Sequence, residues 1–309
     1  MAVAEPSLIA LDRRDALTSE ERAEVSALLD DVERADGVAP VGEHVRLRLR
    51  SGASGSAHLL ARVDDVLVGY AHLDLVGDAD GHRVAELAVA PSARRRGAGT
   101  ALLRALLEQT ASDGPADLRV WAHGGRAESA ALASSLGLRK VRELLRMRLD
   151  DLSDLPEPVL RDGVRLRPFV VGQDEAAVVE VNHRAFDWHP EQGAMSVEDV
   201  RGKEAEDWFD ADGFLLAVAS GTGALLGFHW TKVHGSGADA IGEVYVVGVD
   251  PAAQGGGLGR ALTLAGLRHL AARGLSSVML YVEADNTAAV ALYERLGFTR
   301  WDSDAQYSA

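Results

Sequence analysis

The chain contains no cysteine. Disulfides, thiolate metal sites and a cysteine nucleophile are therefore excluded. Positive charge is scarce too: 32 lysines and arginines stand against 47 acidic residues, a net charge of −15. A nucleic-acid partner is not expected, because neutralising phosphates needs a basic surface. The one obvious basic run is Arg94-Arg95-Arg96. A cationic amine substrate, by contrast, would not be repelled. No uninterrupted apolar run approaches the ~18 residues that mark a membrane helix, and Met1 to Asp15 has no basic region followed by an apolar core. A cytoplasmic monomer with no membrane partner is the expectation. Two phosphate-binding patterns are also missing, Gly-x-x-x-x-Gly-Lys-Ser/Thr and Gly-x-Gly-x-x-Gly, which disfavours a P-loop and a dinucleotide fold.

What the 309 residues do contain is one pattern written twice. The stretch from Asp250 to Leu262, DPAAQGGGLGRAL, has an echo from Ala90 to Leu102, APSARRRGAGTAL, at an offset of 160 residues. Between Pro91 and Leu138, 14 of 48 positions are identical to their counterparts. The glycine pairs Gly97/Gly257, Gly99/Gly259, Gly114/Gly274 and Gly137/Gly297 are the part that composition explains least. Two tandem domains follow: 1–150, a polar proline-bearing linker at 151–162, and 163–309. Within the second copy, Gly242 to Val249 reads as a buried strand. A helix with Leu264, Leu267 and Ala271 on one side follows the glycines, then a strand over Ser277 to Ala284, then a helix from Asp285-Asn286-Thr287 to Gly297. The sum is an α/β unit.

Glycine is about 1 kcal/mol worse than alanine inside a helix, so its concentration at a helix start asks for a reason. The first helical turn carries unpaired N–H groups and the positive end of the dipole. Glycines at that entry let an anion approach the backbone with no Cβ in the way. A merely flexible turn would also suit glycine. Its repetition in both copies favours phosphate binding.

The pattern is Gln254-x-x-Gly257-x-Gly259, and Arg94-x-x-Gly97-x-Gly99 in the first copy. It resembles the acetyl-CoA signature of the GNAT acetyltransferase superfamily, as does the closing segment LYVEADNTAAVALYERLGF. The resemblance implies an α/β fold (an α+β mixed sheet) in two tandem GNAT domains, and acetyl-CoA as co-substrate. The segments VAPVGEH, HPEQG, GFHWTKVH, GEVYVVGVDPAAQ and LYVEADNTAAV further resemble the tandem-domain branch of that superfamily that completes mycothiol biosynthesis. By that resemblance, acetyl passes from acetyl-CoA to the cysteinyl amine of cysteinyl-glucosaminyl-inositol, and the N-terminal domain is inactive. Asp36, Glu191, Lys232, Glu243 and Tyr281 would contact that substrate. Acetyl-CoA would meet Val247, Gly248, Val249, Gln254, Gly255, Gly256, Gly257, Leu258, Gly259, Arg260, Asn286, Thr287, Ala288, Ala289, Val290 and Ala291. In the first copy, Leu87, Ala88, Val89, Arg95, Arg96, Gly97, Ala98, Gly99 and Thr100 would hold a second acetyl-CoA. Gly255 and Gly256 depart from the arginines that the family often carries there, which removes positive charge near the phosphates.

The copies differ where chemistry would occur. Aminolysis of a thioester expels a thiol of pKa about 8.5, and a tyrosine hydroxyl can supply its proton. Tyr293 aligns with Ala133, which cannot. Spacing alone leaves Tyr293 open between this role and the core, since Val290, Tyr293 and Leu296 share a helix face. Glu243 at the start of its strand is the candidate base, with Glu283 as alternative; a solvated strand-end charge is the bland reading of Glu243. His183, His189, His229 and His234 form no His-Glu-x-x-His pattern, so no metal is expected. An acetyltransferase for another amine (a protein N-terminus or an aminoglycoside) and a non-catalytic acetyl-CoA sensor remain the alternatives.

Overall fold

A computed structural model describes residues 9–52, 54–78, 80–112, 117–187 and 192–309. The chain divides into two compact units, Met1–Leu144 with Asp302–Ala309, and Leu145–Trp301. The first half supplies β1 (Ala10–Arg14), α1 (Ser19–Asp36), α2 (Glu43–Ser51), β2 (Ser56–Val63), β3 (Val66–Asp74), β4 (Arg83–Val89), α3 (Ala98–Ser112), β5 (Leu118–Ala122), α4 (Ala127–Ser135) and β6 (Arg139–Leu149). The second supplies β7 (Val164–Pro168), α5 (Glu175–Ala185), α6 (Val197–Glu204), β8 (Phe214–Ala219), β9 (Leu225–His234), β10 (Ile241–Val249), α7 (Leu258–Ala272), β11 (Val278–Glu283), α8 (Thr287–Arg295) and β12 (Thr299–Ser308).

Each unit has the same sheet plan. In the first, β1 to β4 form antiparallel ladders and β4 runs parallel to β5. In the second, β7 to β10 are antiparallel and β10 runs parallel to β11. β2–β3 and β8–β9 are joined by short turns, whereas α1 and α2 lie between β1 and β2, and α5 and α6 between β7 and β8; the helical crossover of each parallel pair is what parallel strand geometry requires.

The place beside the parallel pair is filled by exchange. Ala305–Ser308 of β12 pair with β5, although β12 ends the second half of the sequence. Ala305 and Tyr307 sit in the core with Leu102, Leu106 and Val120. Conversely, Leu145, Met147 and Leu149 of β6 pack in the second unit with Leu280, Val282 and Phe298. The compact boundary therefore falls inside β6 rather than in the run 151–162, whose polar composition marked it as a linker. Burial of alternate residues on a strand, not loop composition, decides which unit a strand belongs to.

The parallel strands are covered by helices, as both faces of such a pair must be. In the second unit α7 packs Leu267 and Leu270 on Val244, Val278 and Leu280. On the other face α5 brings Val178, Val179 and Val181 against Phe228, Trp230 and Val246. Val244 and Val246 would share a face on a regular strand, yet they belong to different cores. A register shift against β9 lies between them, and such a bulge re-aims the strand. Among the described residues no helix is long and apolar enough to cross a membrane.

Candidate active site

The glycine turn of the second unit takes a conformation that explains its composition. Gly255, Gly256 and Gly257 have φ of +84°, +60° and +79°, three consecutive residues in the left-handed region. Only glycine takes three such residues in a row without a steric cost. Gly257 is the N-cap of α7 and offers it no side-chain cap, so the first-turn donors stay available to a ligand. A Cβ built on Gly255 or Gly257 meets no protein atom within 4 Å; the space there is open. The first unit repeats the turn with Arg95 at φ +63° and Gly97 at φ +92°. Gly255 thus stands at a left-handed position where Arg95 carries strain.

The strand ends above the turn separate. β10 and β11 pair over Gly242–Val244, and β10 then continues to Val249 against β9 alone. The end of β10 leads into the glycine turn and the N-terminus of α7, and the end of β11 leads into the N-terminus of α8. Asn286 caps α8, its Oδ1 accepting from Ala289 N. An uncapped helix start beside open space suits a phosphate group.

Five side chains stand on one face of this sheet. Directly paired residues share a face and residues two apart return to it. Glu243 pairs with Lys232 on β9 and with Met279 on β11. His234 on β9, and Tyr281 and Glu283 on β11, therefore join Glu243 and Lys232. Lys232 Nζ lies 4.8 Å from the ring centre of Trp208 and 5.4 Å from that of Tyr245. Glu243 is no solvated strand-end charge: its side chain is 8% exposed and its Oε2 lies 2.6 Å from His234 Nε2. Glu283 is buried as well, whereas Tyr281 is exposed.

Tyr293 belongs to the opposite face. It packs in the α7-side core, edge-on to Phe298 at 5.7 Å between ring centres. Burial pushes its hydroxyl up to about 12, so it keeps its proton through the neutral range. Glu243 and Tyr293 thus lie on opposite faces of the sheet.

The first unit encloses a cavity of about 320 Å³. Leu87, Ala88, Val89, Arg95, Gly97, Ala98, Gly99 and Thr100 line it, as does Ala133; Arg96 does not. Asp36, the last residue of α1, reaches the same cavity. Arg94 donates to both its oxygens at 2.8 Å, and Arg126 Nη1 lies 3.1 Å from Oδ1. On the cavity wall His123 sits between Glu86 and Asp304, both at 3.0 Å. Burial opposes its charge, but hydrogen bonds to Asp304 and Glu86 outweigh that and hold it up at about 10.

The profile of the acetyltransferase (GNAT) family matches residues 25–137 and 180–298. The chain belongs to the GNAT acetyltransferase family. It is 63% identical over 295 residues to the mycothiol acetyltransferase of Actinosynnema mirum, covering 95% of this chain and 97% of that one. To the mycothiol acetyltransferase of Amycolatopsis mediterranei it is 54% identical, with 95% and 97% covered. Among solved structures it resembles a tandem GNAT protein from the clavulanic acid biosynthesis pathway, at 20% identity, TM-score 0.72 and 98% of both chains. A GCN5-related N-acetyltransferase from Sphaerobacter thermophilus matches at 24% identity and TM-score 0.70, with 97% and 95% covered. The fold is therefore two tandem GNAT domains with mixed sheets.

The residues named from the sequence fall at several places in the fold. Val247 to Val249 end β10, Gln254 to Arg260 form the glycine turn and the first residues of α7, and Asn286 to Ala291 cap and open α8. Glu243, Lys232 and Tyr281 come together on one face. Asp36 lies in the first unit, paired to two arginines, and Glu191 and His189 fall outside the described residues. The remaining histidines serve separate ends: His183 Nε2 meets Met195 O and His229 Nδ1 meets Leu262 O. Asp78, Asp80 and His82 bring ligand-type atoms within 4.8 Å of one another, but Asp78 Oδ1 already accepts the N–H groups of Asp80 and His82 and closes its own loop. Sequence reasoning missed the contact of His234 with Glu243, and the aromatic platform of Trp208 and Tyr245 under Lys232. The alternation of GFHWTKVH along a strand is the signal that puts His234 beside Lys232.

Proposed function

We propose that this acetyltransferase moves acetyl from acetyl-CoA to the cysteinyl amine of cysteinyl-glucosaminyl-inositol, the last step of mycothiol biosynthesis. The 63% identity to the Actinosynnema mirum mycothiol acetyltransferase carries the reading. Chemistry belongs to the second unit. The amine arrives as an ammonium of pKa about 8 and must shed a proton before attack. Glu243, buried and adjacent to Lys232, is the base, with Glu283 the alternative on the same face. The amine nitrogen bonds to the thioester carbon and the carbon–sulfur bond breaks; the nitrogen sheds its second proton to the departing sulfur, so that CoA leaves as the thiol on the Tyr293 side. A phenol near 12 is a weaker acid than a thiol near 8.5, so Tyr293 serves chiefly as a hydrogen-bond donor to that sulfur. Asp36, Glu191, Lys232 and Tyr281 are the further substrate contacts in this reading. Asp36 would have to share a carboxylate that two guanidiniums already hold.

The first unit, in the same reading, binds a second acetyl-CoA and transfers nothing. Its cavity is lined by the repeated glycine turn and by Ala133, which donates no hydrogen bond. A cytoplasmic monomer without metal completes the proposal. The test is the mass of the product after incubation with acetyl-CoA and the cysteinyl pseudodisaccharide. A single acetyl on the cysteinyl nitrogen is expected. Acetylation of protein N-termini or aminoglycosides instead, or acetyl-CoA binding with no CoA thiol released, would reject the reading.

A further inference from the structure

We propose that His234 is the proton exit of the active site: it takes from Glu243 the proton that Glu243 removes from the acceptor amine, and passes it to solvent. The inference rests on the reading of Glu243 as the base and adds a residue to it. Each turnover leaves one proton on Glu243, and that carboxyl group is nearly sealed, with 8% of the side chain exposed. Bound substrate covers it further. A buried acid that cannot pass its proton on is lost as a base for the next turnover. His234 Nε2 lies 2.6 Å from Oε2, hydrogen-bonding distance, while 36% of the His234 side chain is exposed. It occupies the last position of β9, immediately before the turn at Gly235. One ring therefore touches the buried oxygen and reaches water.

The step balances without a further reactant. The O–H bond at Glu243 Oε2 breaks and an N–H bond forms at Nε2; the imidazolium then loses its Nδ1 proton to water, and tautomer exchange through solvent frees Nε2 for the next turnover. Imidazole does this because each nitrogen can either donate or accept. Lys232, the other cation-type side chain beside Glu243, has no acceptor lone pair as an ammonium and is directed over Trp208 and Tyr245.

Holding the Glu243 rotamer is the competing role, and glutamine separates the two, since its amide can still donate to Oε2 but cannot relay a proton. In the full-length protein, His234→Gln is expected to lower kcat tenfold or more, with KM for both substrates within about twofold. Free imidazole added to the assay is expected to raise the rate of this variant with concentration and leave the wild type unmoved. Wild-type kcat in His234→Gln overturns the proposal. So does a slow variant that imidazole does not accelerate, which leaves His234 as a support for Glu243. Should the glutamine variant unfold at a lower temperature than wild type, His234→Asn, smaller and still a donor, takes its place in the same assay. Glu243→Gln is run alongside: full activity there sinks the base reading itself, whereas a slow Glu243→Gln beside a fast His234→Gln sinks only the proton exit.

Discussion

The two units share a cradle and differ in what faces it. Arg95-Arg96-Gly97 and Gly255-Gly256-Gly257 occupy equivalent turns, and both bend through the left-handed region at their first and last residues. Arg95 holds φ +63° with a Cβ that disfavours it by roughly 1–2 kcal/mol; Gly255 has no such cost. The glycines thus replace charge with backbone freedom. The strand above the turn differs more. β4 keeps unbroken register with β3, whereas β10 shifts between Val244 and Val246. Counting at the fixed offset sets Glu243 against Arg83. The ladders set it against Val84, because Arg83 pairs with Leu118 as Gly242 pairs with Val278. Either way the first unit has no carboxylate at this position, and Ala133 stands for Tyr293. On the proposed reading, acyl-donor binding and acyl transfer are separable properties of this fold: the turn carries one, two flanking side chains the other.

Glu243→Gln breaks the comparison hardest. It should cut turnover about 10²-fold or more, measured as CoA thiol release at saturating substrates. The deficit should be greatest below about pH 8, where the amine is protonated, and shrink as pH rises and the amine deprotonates unaided. Equal deficits across that range would remove Glu243 from proton abstraction.

Tyr293→Phe comes next, at about tenfold in kcat with acetyl-CoA affinity unchanged, since only a hydroxyl is lost. Its mirror is Ala133→Tyr, which should confer no second activity. Ala133 is 4% exposed on the cavity wall, so a tyrosine there fills the space, and titration calorimetry should count one bound acetyl-CoA in place of two.

Gly257→Val sharpens the turn. Valine at φ +79° is strained, and its side chain points into open space where a phosphate would approach. Acetyl-CoA should bind the second unit about tenfold more weakly or worse. Gly97→Val, at φ +92°, should weaken the first-unit event instead. If both variants affect the same binding event, the two-site reading fails.

The smallest effect is on stability. His123 is held up at about 10 in the folded first unit, against about 6.5 for an unfolded chain. A raised histidine stabilises fully below its unfolded value, and that contribution is lost as pH rises through the folded one. The unfolding midpoint should therefore fall between about pH 6.5 and 10, and His123→Gln should flatten that slope. In the opposite direction, burial depresses His72 and His229 to about 4. They stabilise above about 6.5 and withdraw that support as pH falls toward 4. A midpoint independent of pH on the alkaline side would show that His123 is not charged in the fold.

The sequence by itself determined the tandem repeat, the strand–turn–helix order and the anion-receptive glycines, because each is written in a few consecutive residues whose backbone preferences are local. It also marked Glu243, Lys232 and Tyr293 through resemblance. Tertiary structure alone decided that β6 and β12 trade places between cores, since strand ownership depends on which core buries the strand's side chains. It decided that Asp36 meets Arg94 and Arg126, 58 residues away in the case of Arg94. It also decided that His234 meets Glu243: that contact is set by the β9–β10 register ahead of the bulge, and a shift of one residue there would turn Glu243 to the other face.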